Sequence, residues 1–197
     1  MNNSRGVNVK TYSWKEAFED AHEAAKSGKP RYQTFVGYCY DMGKGVARDL
    51  KMAKWWYEKA ARNGNIDAIF NLAVINDKGQ SMRRNAARAA RLYKQAALRG
   101  DLRSQENLAV MLLDGDGVKR DTAEGFRWLR KAAQRGDSKA QYNLGHAYAY
   151  GEDGVQKNDS LALKWLSKAA KQGHTKSRRL LESLRKKTTV SGVKSQH

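Results

Sequence analysis

Ala169-Ala170-Lys171-Gln172-Gly173 closes a series of five Ala-Ala-x-x-Gly strings, and the distance between copies decides the fold. The others are Ala24-Ala25…Gly28, Ala60-Ala61…Gly64, Ala96-Ala97…Gly100 and Ala132-Ala133…Gly136, so successive glycines stand 36, 36, 36 and 37 residues apart. A fixed period of this length marks a stacked array in which each repeat contacts only its neighbours. Asp49, Asn85, Asp121 and Asn158 each precede a bulky apolar slot (Trp56, Leu92, Trp128, Trp165) by seven residues. Their side-chain oxygens suit a helix N-cap. From each cap 15 residues run to the repeat glycine, about four helical turns, and Gly fits the left-handed stop that follows.

A first, A-type helix starts four residues after each glycine, before this second, B-type one. Its register reads Tyr32…Val36-Gly37…Tyr40…Gly43, then Ala68…Leu72-Ala73…Gly79, Ser104…Leu108-Ala109…Gly115 and Ala140…Leu144-Gly145…Tyr148…Gly151. Apolar residues four apart share one face, and the small residue beside each Leu or Val admits a close partner helix. Gly43-Lys44-Gly45-Val46 and Gly115-Asp116-Gly117-Val118 join the two helices; Gly151-Glu152-Asp153-Gly154-Val155 is the same turn with one extra residue, and Gly79-Gln80-Ser81-Met82 is a diverged copy.

These positions resemble the Sel-1-like repeat family, a relative of the tetratricopeptide repeats, whose pattern is A-x-x-x-L-G-x-x-Y-x-x-G-x-G-V-x-x-D followed by A-x-x-W-x-x-x-A-A-x-x-G. Ala140 to Gly173 follows it nearly throughout, whereas Ala68 to Gly100 departs at Asn76 and Leu92. The resemblance implies an all-α fold: a right-handed α-solenoid of stacked helix-turn-helix repeats, about four of them full, with terminal capping helices. The register places a capping helix at 13–28, repeats at 29–64, 65–100, 101–136 and 137–173, and a C-terminal helix at 174–187. Ser13 and Glu16 form a capping box at its start, and Pro30 suits a first helical turn. Residues 13–187 read as one domain, between a flexible N-terminus (1–12) and a disordered tail (188–197).

Composition narrows the function. No apolar run is long enough to span a membrane and the N-terminus has no hydrophobic signal core, so a cytoplasmic chain is expected; by itself the chain is expected to be a monomer. The single cysteine, Cys39, excludes an internal disulfide and departs from the cysteine-paired secreted branch of the family. Net charge is +18, and residues 83–103 and 164–194 contribute +6 and +9 of it. Such fields draw acidic proteins, nucleic acid or anionic lipid. Arg84, Arg88, Arg91 and Arg99 share a face by their spacing, and Lys176 and Arg179 belong to the second block. A solvated outer face is the plainer account of scattered charge.

No catalytic constellation emerges. His22, His146, His174 and His197 lie far apart in sequence without a second ligand at helical spacing, so neither a metal nor a cofactor is expected. Asp114-Gly115-Asp116-Gly117 is turn chemistry rather than a calcium loop, and Ser191-Gly192-Val193-Lys194 lacks the companion motifs of an acyl enzyme. The expected role is that of a non-enzymatic adaptor. Transfer of the tetratricopeptide register implies a concave groove lined by Arg31, Tyr38, Phe70, Asn71, Arg103, Asn107, Lys139, Tyr142, Asn143 and His146. Asn71, Asn107 and Asn143 recur 36 residues apart, and each amide offers a donor with an acceptor to an extended peptide. Asn as simply the family's habitual residue at that slot is an equally weighted reading. Two partner classes stay open: an acidic protein segment, or nucleic acid held by the Arg/Lys-rich surfaces. A membrane role ranks below both.

Overall fold

The computed structural model describes residues 13–79 and 83–194. The expected flexible N-terminus (1–12), positions 80–82 of the diverged turn and the last tail residues (195–197) lie outside the described residues. Among those described, ten α-helices follow one another without a strand: α1 (Trp14–Lys26), α2 (Pro30–Met42), α3 (Leu50–Arg62), α4 (Ile66–Lys78), α5 (Ala86–Leu98), α6 (Leu102–Asp114), α7 (Thr122–Gln134), α8 (Ser138–Tyr150), α9 (Asp159–Lys171) and α10 (Thr175–Lys194). This is the all-α repeat architecture. The helices fall into two compact units, 1–72 and 73–197.

Local chemistry sets the helix ends. Ser13 and Glu16 cap α1 reciprocally, Glu16 N–H donating to Ser13 Oγ at 3.2 Å and Ser13 N–H to Glu16 Oε2 at 2.9 Å. Asp49, Asn85, Asp121 and Asn158 accept first-turn amides of α3, α5, α7 and α9. Each B-type helix ends alike: Gly64 N–H donates to Ala61 O and Asn65 N–H to Ala60 O, a pairing repeated at Gly100/Asp101, Gly136/Asp137 and Gly173/His174. That double closure needs a left-handed residue, and these glycines have φ of 78° to 98°. Helix α10 runs on to Lys194, past the expected end at Lys187; no proline interrupts it.

In the first unit Ala21, Ala25, Val36 and Trp56 form a core flanked by Phe18, Phe35, Tyr40 and Met52. In the second, Phe126, Leu129, Ala132, Ala133, Ala140, Leu144 and Ala147 do so, with Trp128 and Trp165 packed at the margin. The most deeply buried large side chain of each B-type helix is the residue after the Trp slot: Tyr57, Tyr93, Leu129 and Leu166 are 0%, 2%, 0% and 0% exposed, while of the slot residues themselves Trp56 is buried and Leu92, Trp128 and Trp165 are partly buried. The cause is helical geometry, since that residue stands three and four positions before the two alanines and so centres the buried face. Trp128 and Trp165 sit to one side, and Lys131 and Lys168 lie 5.0 and 4.9 Å from their ring centres. Small residues admit the buried side chains: a Cβ on Gly37 would fall 2.7 Å from Tyr57 Cδ1, and one on Gly145 2.8 Å from Leu166 Cγ.

A buried amide staples successive helices. Gln33, Gln105 and Gln141 donate from Nε2 to the carbonyls of Ala25, Ala97 and Ala133 at 3.3, 3.1 and 3.1 Å. Each adds a second hydrogen bond to a last-turn carbonyl that also accepts from the closing Gly28, Gly100 or Gly136 N–H. The second repeat has Ile69 in that position.

Candidate protein-binding surfaces

In the first unit α2 exposes Arg31 and Tyr38, while α4 carries half-buried Phe70 and Asn71. Trp14, at the start of α1, adds an unforeseen member. Its ring stacks 6.4 Å from Phe35 and lies 6.5 Å from Tyr38, with Lys44 Nζ 5.5 Å from its centre. It is 48% exposed, so the three rings make a partly open aromatic patch.

In the second unit α8 brings Tyr142, Asn143 and His146 to one face, and Asn107 lies one helical turn before Val110 on α6. Val110, Leu113 and Phe126 wall a pocket of about 250 Å³ there, with Asn143, His146, Asp114 and Glu152 as its polar lining. The asparagines are already engaged: Asn107 Nδ2 donates to Arg103 O at 2.9 Å, and Asn143 Nδ2 to Glu106 Oε1 at 3.1 Å. Their carbonyl oxygens still offer acceptors to a peptide. Glu106 is 8% exposed. Burial and the neighbouring Asp137 push its carboxyl above the usual range, against Lys139 and the Asn143 bond. His146 Nδ1 lies 2.9 Å from Glu152 Oε2, and Tyr142 packs between His146 and His174 with ring centres 5.8 and 4.9 Å away. Lys139 is exposed, and Arg103 pairs with Asp101 at 2.7 Å.

The basic blocks differ from their sequence reading. Arg84 precedes the N-cap of α5 and Arg99 is its C-cap, so only Arg88 and Arg91 lie within that helix. Arg84 is a turn brace. Its Nε donates to Asp77 O at 2.7 Å and its other nitrogens bond Asp77 and Asp116. Arg48 and Arg120, each 36 residues away, brace the corresponding turns by bonds to Asp41 O and Leu113 O at 2.8 and 2.7 Å. Lys176 and Arg179 are exposed on the first turns of α10.

The Sel1 repeat model matches residues 30–65, 66–101, 102–137 and 138–174. The chain belongs to the Sel1 repeat family. A Sel1 repeat protein from Oxalobacter formigenes superposes with a TM-score of 0.80 at 32% identity, covering 86% of this chain and 69% of that one. A protective antigen of uropathogenic Escherichia coli strains displaying an SLR fold gives 0.60 at 30% identity, covering 87% and 44%. Among curated proteins, the chitin synthase regulator SKT5 of Saccharomyces cerevisiae is 47% identical over 57 residues, which is 29% of this chain and 8% of that protein.

Sel1 repeat proteins generally mediate protein–protein interaction, and their scaffolds are generally non-enzymatic. Among the described residues, no group of three or more His, Cys, Asp or Glu side chains is placed to hold a metal, and no helix is long and apolar enough to cross a membrane. Sequence reasoning missed His174 as a member of this face. It occupies the N-cap slot after the last repeat glycine, where its Nδ1 meets Ser177 N at 3.3 Å. The signal was there: Asn65, Asp101 and Asp137 fill the same slot earlier. Burial pushes the His174 imidazole below its ordinary value, Lys176 and Lys139 adding to the shift and Asp137 opposing it.

Proposed function

We propose that this chain is a non-catalytic adaptor that binds another protein, recognising an acidic segment of it. The observation that carries the reading is the second unit's groove, where Tyr142, Asn143 and His146 line an open, partly apolar pocket, with Asn107 one helical turn before its lining residue Val110. An extended chain needs amide partners for its backbone and a pocket for alternate side chains, and this face offers both. The excess of exposed Lys and Arg supports an acidic partner by accelerating its approach. Pairing of Arg84 with Asp77 and Asp116, and of Arg103 with Asp101, removes two cations from any continuous phosphate track. That favours protein over nucleic acid.

Affinity capture with and without nuclease, followed by calorimetry, tests the proposal. Asn107→Ala with Tyr142→Ala is expected to weaken the captured partner's binding while leaving the melting temperature nearly unchanged. Undiminished binding by the double variant refutes the groove as the contact surface. Loss of every captured partner on nuclease treatment refutes the protein-adaptor reading.

A further inference from the structure

The turns that lead into the B-type helices close onto the start of the preceding B-type helix. A Cβ on Gly45 would fall 2.1 Å from the carbonyl oxygen of Trp14, the first residue of α1. One on Gly117 would fall 2.3 Å from the carbonyl carbon of Ala86, the first residue of α5. The equivalent contact for the turn between α8 and α9 would be with Thr122, the first residue of α7. That turn carries the extra residue, and Gly154 has nothing within 4 Å of its Cβ position. Where the closure fails, a cleft of about 970 Å³ opens between α7 and residues 154–158.

The cleft has a definite chemistry. Phe126, Tyr148, Val155 and Leu161 supply apolar lining, Arg127 and Arg130 come from α7, and no acidic residue is among the described lining residues. Neither arginine has a carboxylate partner among the described residues. Lys157, also in the lining, meets Asp159 at 3.6 Å with both side chains well exposed. The groove of α6 and α8, by contrast, holds Glu106, Asp114 and Glu152. Charge complementarity thus separates the two faces.

We infer that this cleft, opened by the one-residue insertion, docks an acidic segment of the partner protein that carries an apolar anchor. The inference rests on the adaptor reading above and adds the place where the charge is read. A Leu- or Phe-type side chain reaches the apolar lining, and flanking carboxylates take the guanidinium groups of Arg127 and Arg130, whose planar donors suit bidentate pairing. A nucleic-acid backbone would match the cations and leave the apolar lining unmet.

The probe is a fluorescein-labelled peptide, Asp-Glu-Leu-Glu-Asp-Phe-Glu, followed by anisotropy at about 150 mM salt, where fields between exposed charges are screened beyond about 8 Å. Arg127→Ala with Arg130→Ala is expected to weaken binding about tenfold or more, as loss of charge-assisted hydrogen bonds requires. Deletion of Asp153, which restores the 36-residue spacing, is expected to weaken it comparably by closing the cleft. Circular dichroism verifies that each variant is folded; Arg127→Glu, a surface change, is the second variant if the deletion unfolds. Equal weakening by Arg88→Ala with Arg91→Ala overturns the cleft in favour of a general field. Weakening only by Asn107→Ala with Tyr142→Ala overturns it in favour of the groove, and leaves the acidic-partner reading standing. Binding no tighter than that of the Asn/Gln version of the peptide overturns both. Tighter binding of a random single-stranded oligonucleotide, lost in the same arginine variants, reassigns the cleft to nucleic acid and overturns the inference.

Discussion

Leu129→Ala, set beside Trp128→Leu, tests where the core of these repeats lies. Leu129 is 0% exposed and packs within the cluster of Phe126, Ala132, Ala133 and Leu144. Truncating a fully buried Leu removes its transfer free energy and leaves a cavity, together about 3 kcal/mol within a range of roughly 2–5. Trp128 is only half-buried. Its losses are a cation–π contact with Lys131 at 5.0 Å and a long Nε1–H bond to Glu124 at 3.3 Å. Leu already fills that slot at Leu92. We therefore expect about 1 kcal/mol for Trp128→Leu, the sum of a weak cation–π contact and a long, partly buried hydrogen bond. Urea unfolding, followed by far-ultraviolet dichroism and by fluorescence of the remaining tryptophans, reads the difference. With a slope of about 2 kcal/mol/M, the midpoint falls by about 1.5 M for Leu129→Ala and about 0.5 M for Trp128→Leu. Because repeats couple mainly to neighbours, the two probes must coincide for the midpoints to be read as free energies. A larger loss from Trp128→Leu than from Leu129→Ala would refute the placement of the core.

Gly154→Ala adds a methyl where nothing lies within 4 Å, so only its left-handed φ of 80° opposes the change, at about 1–2 kcal/mol. Gly117→Ala, at φ 69°, also drives a Cβ to 2.3 Å from the Ala86 backbone and is expected to cost about 3 kcal/mol or more; equal thermal shifts for the two would contradict the closed-turn geometry. Glu106 has a folded-state pKa raised chiefly by burial, so its contribution to stability is present below the ordinary carboxylate range and is lost as pH rises through the raised value. Glu106→Gln keeps an acceptor for Asn143 and removes the charge. It is expected to melt at or above the wild-type temperature at pH 7, with the advantage disappearing by about pH 4; a variant less stable at pH 7 than at pH 4, relative to wild type, contradicts that sign.

Helix positions were legible because their causes are local. The caps Ser13, Asp49, Asn85, Asp121 and Asn158 and the closing glycines act within one turn of backbone, so residue type and spacing carry the whole signal. Of the candidate groove residues, Tyr142, Asn143 and His146 line one pocket of the second unit. The bonds already occupying them were not legible, because Glu106 reaches Asn143 from 37 positions away. Arg84 misled for the same reason, as a cation's availability depends on what folds against it, here Asp77 and Asp116.

The sequence by itself determined the period, the helix ends and the family, since a 36-residue spacing of Ala pairs, caps and glycines admits little besides stacked helix pairs. It also held the 37-residue interval, without saying what that interval does. Tertiary structure decided which neighbour of each Trp slot enters the core, because a rotation of one residue about a helix axis is settled only by the facing helix. It decided which cations remain unpaired. It decided, too, that one inserted residue leaves Gly154 without the backbone contact that Gly45 and Gly117 make, and so opens a cleft beside Arg127 and Arg130. Close packing explains all three: a side chain's role is set by the atoms within a few ångströms of it, and in this chain those atoms belong to the facing helix or to the neighbouring repeat.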